Sequence, residues 1–177
     1  MLETLSTRIA FENPWVRLRE DAVRYADGSD GAYAYVERPR YVIVAAVEDG
    51  HVWMVEQYRH PLKARQWELP MGVAAGGDAT PIDQAAAIEL REETGVRAAR
   101  MDYVAEFAPA PALIAQTGAL FLATGLTRGA QALEREEQDL IARAWPVADV
   151  ITAILGGQIR DAATVASFGL LRLKEML

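Results

Sequence analysis

Apolar and polar positions along this chain fall into β-type runs first and helical stretches later. From Thr7 to Val36 the runs are strand-like, broken at Asn13-Pro14 and at Asp27-Gly28-Ser29-Asp30-Gly31, which predicts a turn. Tyr41–Val47 (YVIVAAV) is continuously apolar, as suits a strand covered on both faces. Asp49-Gly50 is a two-residue hairpin signal, and His51–Gln57 reads as the returning strand. Tyr58–Ala75 reads as a loop with a short strand at Trp67–Leu69, and Leu69-Pro70-Met71-Gly72 within it as a tight turn.

Thr80 to Val96 predicts a helix with explicit ends. Thr80 serves as cap, Pro81 as the first helical residue, Asp83 favours the positive end of the dipole, and Gly95 supplies the left-handed stop. Strands are expected at Arg100–Phe107 and Ala119–Thr124, separated by the proline-broken Ala108-Pro109-Ala110-Pro111. The acidic stretch Glu134–Asp139 precedes a strand at Leu140–Trp145, then helices at Val147–Leu155 and Asp161–Met176. This pattern predicts one mixed α/β domain over residues 41–177. An N-terminal β extension over residues 1–40 is expected to take part in a dimer interface.

Composition narrows the class. With 51% hydrophobic and 24% charged residues, the chain has the make-up of a globular domain. Its formal net charge of −7 comes without any Lys/Arg cluster, which argues against nucleic acid as a partner. An acidic enzyme acting on a polyphosphate must neutralise that substrate locally, and divalent metal does so. There is no cysteine, which excludes disulfides, zinc–thiolate sites and thiol nucleophiles. No signal-like leader and no membrane-length apolar run is found, so a cytoplasmic protein with no membrane partner is expected.

The chemistry concentrates in Ala85–Val96 (AAAIELREETGV). Glu89, Glu92 and Glu93 stand at i, i+3 and i+4, on one side of the helix. Like charges so spaced cost an isolated helix about 0.2–0.5 kcal/mol per pair. The cluster also sits at the C-terminal, negative end of the dipole. A solvated acidic face helped by Arg91 and Arg97 is one reading; a hard divalent cation shared by the carboxylates is the other.

Gly72 to Val96 resembles the Nudix box, G-x5-E-x7-R-E-U-x-E-E-x-G-U with U aliphatic. Glu89-Leu90-Arg91-Glu92-Glu93-Thr94-Gly95-Val96 matches its second half residue for residue. The first half departs: the box's first Glu falls on Asp78, the spacing that follows is two residues longer, and the Arg position holds Ile88, with Arg91 the available substitute cation. The resemblance implies an α/β/α sandwich around a mixed sheet. It further implies Mg²⁺, or Mn²⁺, bound by Glu89, Glu92, Glu93 and the backbone carbonyl of Met71, with Glu92 and Glu93 in the catalytic set.

Outside the box, Val55-Glu56-Gln57-Tyr58-Arg59-His60-Pro61, Trp67-Glu68-Leu69-Pro70-Met71-Gly72, Phe121–Leu126 and Gly157–Val165 resemble, in the right order, segments of the ADP-ribose pyrophosphatase-like branch. By that resemblance Arg59 and Glu68 contact the substrate's phosphates or terminal ribose; the plainer alternative makes them structural partners. Gln116 stands where the branch often has a loop Glu, and an amide there binds substrate without charge. A general base or extra ligand is expected from the acidic loop, Glu136 or Glu137 first and Asp139 in reserve; a solvated loop is the alternative. Tyr58 and Trp67 read as core or dimer contacts, Trp145 as core, and His51 and His60 lack metal-ligand spacing. The function implied is hydrolysis of a nucleoside diphosphate sugar by a homodimer, ADP-ribose first and GDP-mannose-like compounds next. The rival is a non-catalytic Nudix-fold sensor of nucleotide sugars.

Overall fold

The structure, a computed structural model, describes residues 1–73 and 79–177, with Glu136 described through its backbone alone. The chain divides into two compact units. Residues 1–39 and 108–117 form the first, a four-stranded sheet. Strands β1 (Glu3–Glu12), β2 (Arg17–Arg24) and β3 (Asp30–Glu37) form an antiparallel meander, and β9 (Ile114–Ala115) joins β3 in parallel. The expected turn is present between β2 and β3, with Gly28 at φ 85° and the Asp27 carboxylate accepting from the Ser29 N–H at 3.0 Å.

Residues 40–107 and 118–177 form the second unit. Its sheet runs β11-β5-β4-β10-β8, built from β4 (Tyr41–Glu48), β5 (His51–Arg59), β8 (Val96–Phe107), β10 (Gly118–Arg128) and β11 (Ile141–Pro146). The β4–β10 pairing is parallel and the others are antiparallel, so the sheet is mixed. Short strands β6 (Ala64–Glu68) and β7 (Met71–Gly72) pair with β5 and β4. Asp49 and Gly50 both adopt positive φ (48° and 72°), the geometry a two-residue primed hairpin turn requires.

The apolar run in β4 has its physical reason in this sandwich. Val42, Val44 and Ala46 face helix α1 (Ile82–Thr94), together with Ala119, Phe121 and Ala123 of β10. Ile43 and Ala45 face the other way, toward α2 (Val147–Leu155) and α3 (Ala162–Leu173), where Val150, Ala153, Phe168 and Leu171 pack. All five β4 side chains from Val42 to Ala46 are fully buried. This is the α/β/α sandwich expected.

Several boundaries differ from expectation. Helix α1 begins at Ile82 with Pro81, not Thr80, at its N-cap; it ends at Gly95 in the left-handed conformation as expected (φ 73°). The strand expected at Trp67–Leu69 is β6, drawn back to Ala64 by its ladder with β5. Leu69–Gly72 is not a free-standing tight turn: after a bend at Pro70 the chain re-enters the sheet as β7. No helix among the described residues is long and apolar enough to cross a membrane.

Candidate active site

Helix α1 turns Ala85, Ala86 and Leu90 into the core, which fixes the placement of the glutamates between them. Glu89 is 8% exposed and Glu93 fully buried, so a solvated acidic face describes neither. Glu92 is partly exposed and its Oε1 accepts from Arg91 Nη2 at 2.8 Å. Arg91 thus takes a neighbouring glutamate as partner, and Ile88 at the box's Arg position is partly buried.

The stretch Leu69–Gly72 lies against both buried glutamates. The Met71 N–H donates to Glu93 Oε2 at 3.0 Å. Gly72 approaches Glu89 so closely that a Cβ there would stand 2.6 Å from Oε2 and 2.8 Å from the carboxyl carbon. Any larger residue would have to displace that carboxylate. The stretch is itself fastened from two sides. The Leu69 N–H donates to Thr164 Oγ1 at 2.9 Å, and the Val44 N–H donates to the Pro70 carbonyl at 2.9 Å. Thr164 is fully buried in the first turn of α3, where the Asp161 side chain caps the helix by accepting from the Thr164 N–H at 2.7 Å. The Gly157–Val165 segment therefore serves as a clamp on the turn beneath the glutamates.

The acidic loop forms a 3-10 turn at Arg135–Glu137. Of the described side chains left open in sequence, Glu137 is the one whose charge reaches the helix: it raises the carboxyl groups of both Glu89 and Glu93. Asp139 is engaged elsewhere, accepting from Arg65 Nη1 at 2.6 Å. The Glu136 side chain lies outside the described residues, as does Asp78. Glu134 was not singled out in sequence, yet its charge also reaches Glu89 and Glu137. Its spacing of three from Glu137 was the available signal.

These carboxylates are strained electrostatically. Burial, followed by the charges of Glu137, Glu92 and Glu134, pushes Glu89 up to about 7. Burial, then Glu137 and Glu89, holds Glu93 well above the usual carboxylate range, against the opposing Met71 N–H and Arg59. Glu137 is raised by burial and by Glu134 and Glu92, and held down by its backbone hydrogen bond at Glu134 and by Arg59. Clustered, buried anions mark a site that takes up cations, whether protons or metal.

Arg59 stands beside this cluster and is bound to Glu68. Its Nε donates to Glu68 Oε1 at 2.9 Å and Oε2 at 3.1 Å, and Nη2 also donates to Oε2. Glu68 is 3% exposed, so the pair is two-pronged around a buried carboxylate. Trp67 packs against Trp145 at 4.8 Å between ring centroids, inside the second core cluster, whereas Tyr58 is exposed. Gln116 belongs to the first unit, where its Nε2 donates to the Pro39 carbonyl at 2.7 Å. A cavity of about 340 Å³ in the second unit is lined by Glu48, Asp49, His51, Trp53, Leu126, Arg128 and Ala144, and by none of the candidate residues.

The residues fit a hard divalent cation by their chemistry. The donors are carboxylate oxygens, and Glu93 Oε1 is buried with no hydrogen-bond partner among the described residues. An orphaned buried anionic oxygen costs free energy that a cation would recover. As they stand, no three acidic, histidine or cysteine groups among the described residues enclose an ion. That agrees with the pairing of Glu92 to Arg91, which keeps one of the three carboxylates occupied.

Comparison with known proteins agrees with the fold and the box. The family model for the NUDIX domain matches residues 37–167, and that for the nucleoside diphosphate sugar hydrolase N-terminal domain matches residues 2–36. The chain is 33% identical to an ADP-ribose pyrophosphatase of Mycobacterium tuberculosis, over 93% of this chain and 80% of the relative. It is 29% identical to a methanol dehydrogenase activator of Bacillus methanolicus, over 99% of this chain and 95% of the relative. A solved structure described as an ADP compounds hydrolase superposes with a TM-score of 0.85 at 18% identity, covering 97% of this chain and 92% of that one. With Glu89 and Glu93 of the box helix buried against Met71 and Gly72, the chain belongs to the Nudix hydrolases, in their ADP-ribose pyrophosphatase-like branch.

Proposed function

We propose that this chain hydrolyses the diphosphate bond of a nucleoside diphosphate sugar, ADP-ribose first, giving AMP and ribose 5-phosphate. The observation that carries the reading is the unpartnered, fully buried Oε1 of Glu93, set within the field of Glu89 and Glu137. Glu89, Glu92, Glu93 and the Met71 carbonyl would hold Mg²⁺ or Mn²⁺. When bound, such an ion supplies neutralisation of the diphosphate and activation of water. Glu137, with Glu136 as the alternative, accepts the proton of the attacking water; burial and the neighbouring carboxylates raise its proton affinity above that of a free glutamate. The P–O bond of the bridge breaks as the water oxygen bonds to phosphorus, leaving two phosphomonoesters. Arg59 and Glu68 hold the phosphates or terminal ribose.

The reading includes a homodimer. Edge strand β1 leaves Leu5, Ile9 and Phe11 exposed by 41%, 47% and 54%, apolar side chains that a second copy would cover. Light scattering at micromolar concentration checks it, a monomer being the contrary result. A second functional reading, a nucleotide-sugar-binding regulator of a partner protein, draws on the activator relative and on Ile88 at the box's Arg position.

The deciding assay is phosphate release, after coupling to a phosphatase, from a panel of nucleotide sugars with Mg²⁺. Turnover by the wild type that is lost in Glu92→Gln and Glu93→Gln supports the hydrolase. Tight ligand binding without turnover, indifferent to chelation, supports the regulator.

A further inference from the structure

The C-terminal end of α1 is tied to the acidic loop by one short stretch of chain. The Gly95 N–H closes on the Arg91 carbonyl at 2.8 Å, and the four carbonyls that follow, at residues 92 to 95, have no partner inside the helix. Three of them receive donors from residues 129–132. The Ala132 N–H donates to the Glu92 carbonyl at 3.0 Å, and the Gly129 N–H to the Gly95 carbonyl at 2.7 Å. Gln131 Nε2 donates to the Glu93 carbonyl at 2.5 Å. Glycine at position 95 permits the approach, for a Cβ there would stand 2.6 Å from the Gly129 carbonyl oxygen.

This strap has two consequences for the site. Its donors quench the negative end of the helix dipole, where Glu92 and Glu93 already concentrate charge. It also leads within two residues to Glu134, and then to Glu137, whose charges act on the helix. The helix end and the acidic turn are thereby held in one register. Two of the three donors are backbone groups that any sequence supplies. The third is a side chain, and only that one is set by residue identity.

We propose that Gln131 is a positioning residue, which fixes Glu93 relative to Glu137 and thereby sets the affinity of the glutamate cluster for a divalent ion. The proposal rests on the metal-binding reading given above. Gln131 is itself exposed, so its replacement opens no core cavity.

The test compares Gln131→Met with wild type by calorimetric titration of Mn²⁺ and by thermal unfolding with and without Mn²⁺. Loss of one hydrogen bond at the ligand-bearing turn is expected to weaken Mn²⁺ binding about fivefold. In chelator the Tm should move by no more than about 2 °C, as for an ordinary surface change. A merely structural role would lower Tm equally in both conditions and leave the Mn²⁺ affinity untouched, and that result overturns the proposal. Should wild type bind Mn²⁺ and Gln131→Met bind it equally, only the role of Gln131 falls. Should wild type bind none, the metal reading falls as well. Amide hydrogen exchange of the wild type supplies a check independent of the variant's folding: saturating Mn²⁺ should slow exchange at Gly129 and Ala132 together with the last turn of α1. Unchanged exchange at those two amides also overturns it.

Discussion

Removing a site carboxylate should stabilise this protein when metal is withheld, and Glu89→Gln is the sharpest case. Glu89 is 8% exposed and pushed from 4.5 to about 7 by burial and by the charges of Glu137, Glu92 and Glu134. The folded state therefore binds a proton at this position that the unfolded state has released, over the interval between those two values. Stability falls as pH rises through that window, because the native state holds more protons than the unfolded one. At 1.36 kcal/mol per pKa unit the loss approaches about 3 kcal/mol above pH 7. Glutamine keeps the shape and carries no charge, so at pH 8 in EDTA the variant should exceed wild type by up to about 3 kcal/mol. For a chain of this size that is about 6–12 °C in Tm. Below about pH 4.5 the advantage should vanish, since both states of the wild type are then protonated. Thermal unfolding of both proteins at pH 4.5, 6 and 8, with EDTA and then with Mn²⁺, measures it. Excess Mn²⁺ should reverse the order at pH 8 by stabilising wild type alone. Equal Tm values at pH 8 in EDTA, or a variant less stable there, would refute the claim that these glutamates are held together at a cost.

Gly72→Ala should cut turnover at least tenfold while changing Tm little, because the added Cβ would displace the Glu89 carboxylate, the movable end of a side chain; parallel kinetics and melting curves check this. Arg59→Leu should cost about 1–3 kcal/mol by leaving Glu68, 3% exposed, without its half-exposed partner. Urea unfolding of that variant and of the Arg59→Leu, Glu68→Leu double variant, which should recover most of the loss, separates stability from substrate contact. Ile88→Arg should preserve or raise turnover if the family's arginine is absent here only as a positioning group; a collapse in rate with folding intact would mean that α1 is set differently.

The order of elements was legible because it follows from local rules. The alternate faces of β4 each meet a helix layer, which makes its apolar run continuous; Asp49-Gly50 takes the positive φ values its composition allows. Gly95 stops α1 as a left-handed cap must. The glutamate triplet was legible for the same reason, since helical spacing and the dipole violation are sequence properties. Long-range pairing was not. Nothing in Leu69–Gly72 taken alone says that Pro70 receives an N–H from β4 or that Leu69 is bound by Thr164, 95 residues later. The acidic loop offered several equivalent carboxylates, and only the tertiary path separates Asp139, held by Arg65, from Glu137, whose charge acts on the buried glutamates of the helix.

Two of the residues that sequence reasoning missed act through the backbone of something else. Thr164 holds the Leu69 amide and Gln131 holds the Glu93 carbonyl. Neither carries a motif signature of its own charge or nucleophilicity. Yet Glu93 can stay fully buried with an unpartnered oxygen only if the surrounding chain over-determines its position. Left free, a carboxylate so placed would rotate toward water and lower the free energy. The clamp at Leu69–Gly72 on one side and the strap at residues 129–132 on the other deny it that path. The fold thus keeps anionic oxygens where only a cation relieves them, and the scaffold around the box is as much a part of the site as the glutamates.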